Sequence, residues 1–95
     1  MTQRQPPQIG HRVECTITEV VGNCSWGHKA GDKFEVSAHD TAGMCGFFYH
    51  DTFPMITMLQ FGGNYPWGDP DVLRVECPDR HNCVKAEFKR IPRTA

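Results

Sequence analysis

Apolar and polar residues alternate in four stretches of this chain, and the spacing becomes helical in one stretch between the second and the third. Alternation places every second side chain on one face of a strand. The predicted strands are 12–21, with Val13, Cys15 and Ile17 inward; 33–38, with Phe34, Val36 and Ala38 inward; 72–77, with Leu73, Val75 and Cys77 inward; and 84–91, with Val84, Ala86 and Phe88 inward. The order β-β-α-β-β predicts an α+β fold, a small antiparallel sheet with one helix packed on one face and a polar opposite face.

The predicted helix lies within residues 44–61. Its apolar face comprises Phe47, Phe48, Met55, Ile56, Met58 and Leu59. Pro54 interrupts the pattern, so either one helix kinks there, or a shorter helix begins there with Asp51 or Thr52 as its cap. Gly62 and Gly63 are expected to end the helix.

The chain length of 95 residues fits one domain, with a core so modest that a metal ion would be a useful reinforcement. We expect residues 1–10, polar with a Pro6-Pro7 pair, to form a flexible leader, and residues 11–95 to form the domain. The leader lacks the apolar segment of a secretory signal, and no apolar run reaches the about 18 residues that span a membrane. The cytoplasm is therefore the expected compartment, and no membrane partner is expected.

The formal net charge is -1, which argues against nucleic acid as a partner because phosphate neutralisation needs surplus Lys and Arg. The basic residues near the end of the chain are interpreted as a solvated strand face and tail. They are Lys85, Lys89, Arg90 and Arg93. A small sheet with exposed edges is compatible with a homodimer.

Five cysteines in a reducing compartment call for an explanation other than disulfides, and their odd number leaves one unpaired in any scheme. Cys15 lies mid-strand on the apolar face, which favours a small buried side chain. Cys77 is predicted to point inward opposite Val84. Cys83 then points outward, so we expect no Cys77–Cys83 disulfide.

Three further segments carry possible metal ligands. Cys24 and His28 form a C-x3-H spacing in a glycine-rich loop, which lets a thiolate and an imidazole face one ion, although alone they would be interpreted as surface residues. Cys45 begins the helix, whose positive end favours a thiolate, or it packs beneath Phe48. With Cys77 they would complete a Cys3His set for one metal ion, zinc or iron.

Aromatic and acidic residues beside the loops add a possible pocket. Trp26, Tyr49 and Trp67 would wall it, or would simply complete the core of a small domain. His50 and Asp79 are candidates for moving protons, whereas Asp79 more simply caps the turn that follows Cys77.

Several short motifs are spread along the chain. They are Gly22-x-Cys24, Gly27-His28-Lys29-x-Gly31-Asp32, Met44-Cys45, Leu59-Gln60-Phe61-Gly62-Gly63, Pro66-Trp67 and Cys77-Pro78-Asp79. Together, from about residue 13 to residue 91, they resemble a family of short prokaryotic proteins catalogued only by number, without an established activity. The resemblance implies that Cys24, Cys45 and Cys77 are signature cysteines, and it implies no reaction.

Three functions are compatible with these residues. The first is a metal-binding module that closes a Cys3His site around zinc or iron and serves the fold, a protein partner or a small molecule. The second is a small metalloenzyme whose fourth coordination position holds water or substrate. The third is a thiol redox protein with Cys45 as the reactive thiolate and Cys24 or Cys77 resolving it.

Overall fold

A computed structural model describes residues 5–92 of the chain. Its elements are β1 (Arg12–Val20), β2 (Lys33–Val36), α1 (Gly46–Gln60), β3 (Val72–Glu76) and β4 (Val84–Ile91). The four strands form one open sheet in the order β2-β1-β4-β3, and every neighbouring pair is antiparallel. The predicted α+β fold is confirmed. The strand order, which the sequence left open, places the first and last strands side by side at the centre.

The core lies between α1 and one face of the sheet. It contains Val13, Cys15, Ile17, Val36, Val84, Ala86 and Phe88 from the strands and Phe48, Ile56 and Leu59 from the helix. The opposite face carries ion pairs such as Arg12–Glu35 at 2.7 Å and Lys85–Glu19 at 3.5 Å. The alternation therefore assigned the two faces of the sheet correctly.

A bulge in β1 adjusts the end of that strand. The pairing with β4 passes from Ile17–Ala86 to Glu19–Lys85 and skips Thr18. The extra residue turns the strand so that Val20, opposite Val84, packs against the core. The chain leaving β1 consequently runs beside the start of β4.

Helix α1 is continuous through Pro54, so the alternative of a shorter helix that begins there is wrong. Phe47 was predicted on the packing face but is 59% exposed, since the neighbouring Phe48 occupies that face. Thr52 and Gln60 are buried instead, and the Thr52 hydroxyl donates to the Phe48 carbonyl at 2.8 Å. Within residues 5–92, no helix has the length and apolar character needed to cross a membrane.

Gln60 ties the end of α1 to the chain before β1. Its side-chain Nε2 donates to the Ile9 carbonyl at 3.0 Å, and its Oε1 accepts from the Ala38 amide at 2.7 Å. Its own carbonyl accepts from the His11 amide at 2.7 Å. In the predicted leader 1–10, residues 1–4 lie outside the described part of the chain, while Ile9 and its neighbour Gly10 are packed against this helix end.

Arg90 is buried, although the sequence pattern predicted that it belongs to a solvated basic face. It is only 9% exposed because the alternation of β4 continues inward past Phe88. Its guanidinium donates to the carbonyls of Gly63 and Pro70, each at 2.7 Å, and to the Asp71 carboxylate at 2.9 Å. Arg93, predicted in the same tail, lies outside the described residues.

Candidate functional site

A cavity of about 700 Å³ opens at the end of the sheet where β1 and β3 finish and β4 begins. Cys24, Cys45 and Cys77 all line it. They come from the loop after β1, the residue before α1 and the residue after β3. The remaining wall consists of Ser25, Trp26, Phe47, Pro78, Asp79, Arg80, His81 and Val84. The structure thus brings together the three cysteines that the sequence singled out.

Asn82 positions the loop that carries Cys24. Its carbonyl accepts from the backbone amides of Val21 and Gly22, each at 3.0 Å, and its Oδ1 accepts from the Asn23 amide at 3.0 Å. A Cβ on Gly22 would lie 2.4 Å from that same Oδ1. The Gly22-x-Cys24 motif therefore reflects a close approach between the loop and the β3–β4 turn, which places the Cys24 thiol beside that turn.

Cys45 is held through its backbone by His28. Cys45 is the residue that precedes α1, and its amide donates to Nε2 of His28 at 3.1 Å. The imidazole is 8% exposed and stacks on Phe34 with ring centroids 5.6 Å apart. Burial lowers the pKa of His28, and the nearby Asp32 carboxylate opposes this shift. Because Nε2 accepts the Cys45 amide, it carries a lone pair, and the ring is neutral.

His28 therefore accepts a hydrogen bond from the Cys45 amide and does not line the cavity. Its ring lines a neighbouring depression together with Phe34 and Asp32. The Cys24–His28 spacing predicted that both side chains could face one ion, but Nε2 is already used by the Cys45 amide. Trp26 also joins the loop after β1 to the segment before α1, since its indole N–H donates to the Gly43 carbonyl at 2.9 Å.

The pKa of the Cys77 thiol depends on its burial and on its neighbours in the cavity wall. Burial raises the pKa of its thiol, and a hydrogen bond from the Asp79 backbone amide lowers it. The nearby Cys45, Asp79 and Cys24 then raise it further. Cys24 and Cys45 thus lie close enough to Cys77 to disfavour its ionisation, and the Cys77-Pro78-Asp79 motif supplies an N–H to the Cys77 sulfur.

Asp79 caps the turn between β3 and β4. Its Oδ1 accepts from the His81 amide at 3.0 Å, and its Oδ2 accepts from Nδ2 of Asn82 at 2.8 Å. These bonds, the Asn82 side chain foremost, lower the pKa of the Asp79 carboxyl. The carboxylate borders the cavity, but its oxygens are committed to the turn, as the simpler of the two interpretations predicted.

The other two cysteines, Cys15 and Cys83, do not line the cavity. Cys15 is fully buried, and burial raises the pKa of its thiol to about 12. The Cys77 amide donates to the Val84 carbonyl at 2.8 Å, which confirms the predicted facing of these residues. Cys83 adopts a positive φ of 49°. All five cysteines are free thiols, as the alternation indicated for Cys77 and Cys83.

Of the three residues in the predicted pocket wall, Trp26 lines this cavity, whereas Tyr49 and Trp67 do not. The Tyr49 hydroxyl donates to the Ser37 carbonyl at 2.7 Å, because its ring turns toward the end of β2. Trp67 stacks on Tyr65 at 5.3 Å in the loop before β3. His50 is exposed on α1 and takes no part in the lining. The sequence reasoning missed His81, although residues 77 and 81 repeat the C-x3-H spacing of residues 24 and 28.

The described side chains do not form a metal-coordination sphere. Within residues 5–92, no three His, Cys, Asp or Glu side chains form a group that could hold a metal ion as they stand. Coordination would therefore require the cavity wall to close. Comparison with protein-family models, curated proteins and solved structures finds no match to this chain. The resemblance to a numbered prokaryotic family therefore stays a prediction.

Proposed function

We propose that this protein is a small metal-binding domain in which the thiolates of Cys24, Cys45 and Cys77 hold one zinc or iron ion. The observation that supports this is their convergence from three separate segments on one cavity, with Cys15 and Cys83 excluded. Thiolates are soft ligands that favour these ions over magnesium or calcium.

Small movements of the segments that carry the thiols would bring the three sulfur atoms onto one ion. Cys24 lies in a loop, Cys77 enters a turn, and Cys45 precedes the first turn of α1, so none is locked in the interior of a strand or helix. Metal binding would draw these segments together and release protons from the thiols. The bound ion would supply a cross-link between them, which is valuable in a chain with a small core.

Elemental analysis of tag-free protein, purified without chelator, tests this function. We expect one zinc or iron per chain in the wild type, and a loss of metal in Cys24→Ser, Cys45→Ser and Cys77→Ser. The control variants Cys15→Ala and Cys83→Ser should retain it. A wild-type protein that neither contains metal nor binds added Zn²⁺ or Fe²⁺ would refute the proposal.

The second candidate is a metalloenzyme with an open coordination position. It is favoured by the size of the cavity, about 700 Å³, and by its aromatic residues Trp26 and Phe47, which leave room for a small molecule beside the thiols. Cobalt-substituted protein distinguishes the two functions. An open site changes its visible spectrum when azide is added, whereas a site closed by four protein ligands does not. If no metal binds, counting free thiols after peroxide treatment tests the redox alternative.

A further inference from the structure

His81 shares the thiol-lined cavity, whereas His28 does not. It lies four residues after Cys77, in the turn between β3 and β4. This C-x3-H spacing allows a thiolate and an imidazole from one turn to face the same ion. The sequence offers the spacing twice, and only the second copy has both of its members at the cavity.

The imidazole of His81 is available for a ligand. Its backbone amide donates to Asp79, which holds the turn in place. Its exposed ring has no hydrogen bond and no aromatic partner in the part of the chain that the structure describes. The ring of His28, by contrast, is buried and accepts the Cys45 amide. Recruiting His28 to an ion through Nε2 would leave that amide unpaired, which costs stability.

We propose that His81, rather than His28, is the fourth ligand and completes a Cys3His site with Cys24, Cys45 and Cys77. This inference rests on the proposed function. It makes the site tetrahedral and closed, with no position left for a substrate. It also assigns the ion a structural task, because His81 and Cys77 lie on the turn that Asn82 already joins to the Cys24 loop.

X-ray absorption spectroscopy of the zinc-loaded full chain tests the assignment. We expect three sulfur ligands and one imidazole in the wild type, and loss of the imidazole signal in His81→Ala. Zinc affinity in that variant should fall by at least the roughly 10- to 100-fold that losing an outer partner of a ligand costs. His28→Phe and the exposed control His50→Ala should keep the imidazole signal, and His81→Cys should restore tight binding with sulfur alone.

The outcomes separate the two proposals. An imidazole signal that survives in His81→Ala and vanishes in His28→Phe overturns the assignment to His81. Three sulfurs without imidazole in the wild type overturn it as well and leave the metal-binding function intact. A wild type that binds neither zinc nor iron overturns both. Circular dichroism of the metal-free variants verifies that each has the wild-type fold.

Discussion

At the scale of single residues, His28 acts as a buried acceptor for the amide that begins the helix. We expect His28→Phe, which keeps an aromatic ring against Phe34 but removes Nε2, to lower the free energy of unfolding by about 1–3 kcal/mol, because the Cys45 amide loses its partner. Urea denaturation with chelator present measures this loss apart from any metal. His39→Phe is the control on an exposed histidine and should change stability by less than about 0.5 kcal/mol. Equal stability of the two variants would contradict the role assigned to His28.

Cys15 should behave as an inert thiol below strongly alkaline pH. Its folded-state pKa of about 12 lies above the value of 9.0 for a free thiol. The neutral thiol therefore favours the folded state fully below pH 9, and this contribution is lost as the pH rises from 9 toward 12. The stability difference between wild type and Cys15→Ala should shift against the wild type over that range. A difference that is constant with pH would contradict the burial effect.

The sequence predicted single residues well where their environment is regular. Cys15 alternates with Glu14 and Thr16, so its burial follows from strand geometry alone. The surroundings of His28 depend on where the chain brings Cys45, which local spacing does not reveal. Phe47 was misplaced because one helical face can accept Phe48 and not its immediate neighbour.

At the scale of elements, the β3–β4 turn organises the loop after β1. Gly22→Ala should push that loop away from Asn82, because the new Cβ would lie 2.4 Å from Oδ1. We expect stability to fall by about 1–3 kcal/mol, as in other overpacked sites, and zinc affinity to fall with it. Thermal unfolding and zinc titration measure both effects.

Gly46→Ala is the matched control for Gly22→Ala. A Cβ at Gly46 meets no atom within 4 Å, although this residue also neighbours a proposed ligand. Unchanged or higher stability is expected, because alanine favours the helix and restricts the unfolded chain. If both substitutions have the same effect, the close approach at Gly22 is not what positions Cys24.

The sequence predicted which strands and helix form, but it predicted their end residues less accurately. β2 was predicted to reach residue 38 but ends at Val36. The Ser37 amide donates to the Asp40 carbonyl at 2.9 Å and turns the chain there. Such a turn competes with strand pairing through local hydrogen bonds that a pattern of apolar residues does not encode. Pro54 likewise lies inside α1 despite its low helix propensity, because tertiary packing of Ile56 and Leu59 outweighs it.

At the scale of the whole molecule, the thiol cavity and the Arg90 network occupy opposite ends of the domain. Arg90→Lys should lower the free energy of unfolding by roughly 2–3 kcal/mol, because an ammonium cannot reproduce the forked hydrogen bonds to Gly63, Pro70 and Asp71. Zinc affinity should stay at the wild-type value. Chemical denaturation and zinc titration measure the two quantities.

The control for Arg90→Lys is Arg74→Lys on the exposed side of β3. The Arg74 guanidinium lies 3.9 Å from Glu87, and its side chain is 86% exposed, so its replacement should change stability by less than about 0.5 kcal/mol. A large loss of zinc affinity in Arg90→Lys would mean that the two ends of the domain are coupled.

The strand order could not be predicted because alternation records which face a side chain occupies and not which strand lies beside it. Two hairpins can pair with each other through either strand of each hairpin. Of the predicted set, Cys24, Cys45 and Cys77 line one cavity and His28 does not. The cysteines come together because the segments that follow β1 and β3 meet at one end of the sheet. Proposing His81 over His28 as a ligand required the three-dimensional structure, since residues 28 and 81 have identical spacing to a cysteine.

The central pairing of β1 with β4 has a kinetic consequence. Each hairpin, β1–β2 and β3–β4, can form from residues near each other along the chain, but the sheet is complete only when Arg12 meets Ile91. Closing so long a loop slows the search for the native state relative to helical proteins of this size. During synthesis, β1 therefore waits for most of the chain to leave the ribosome before it gains its second neighbour.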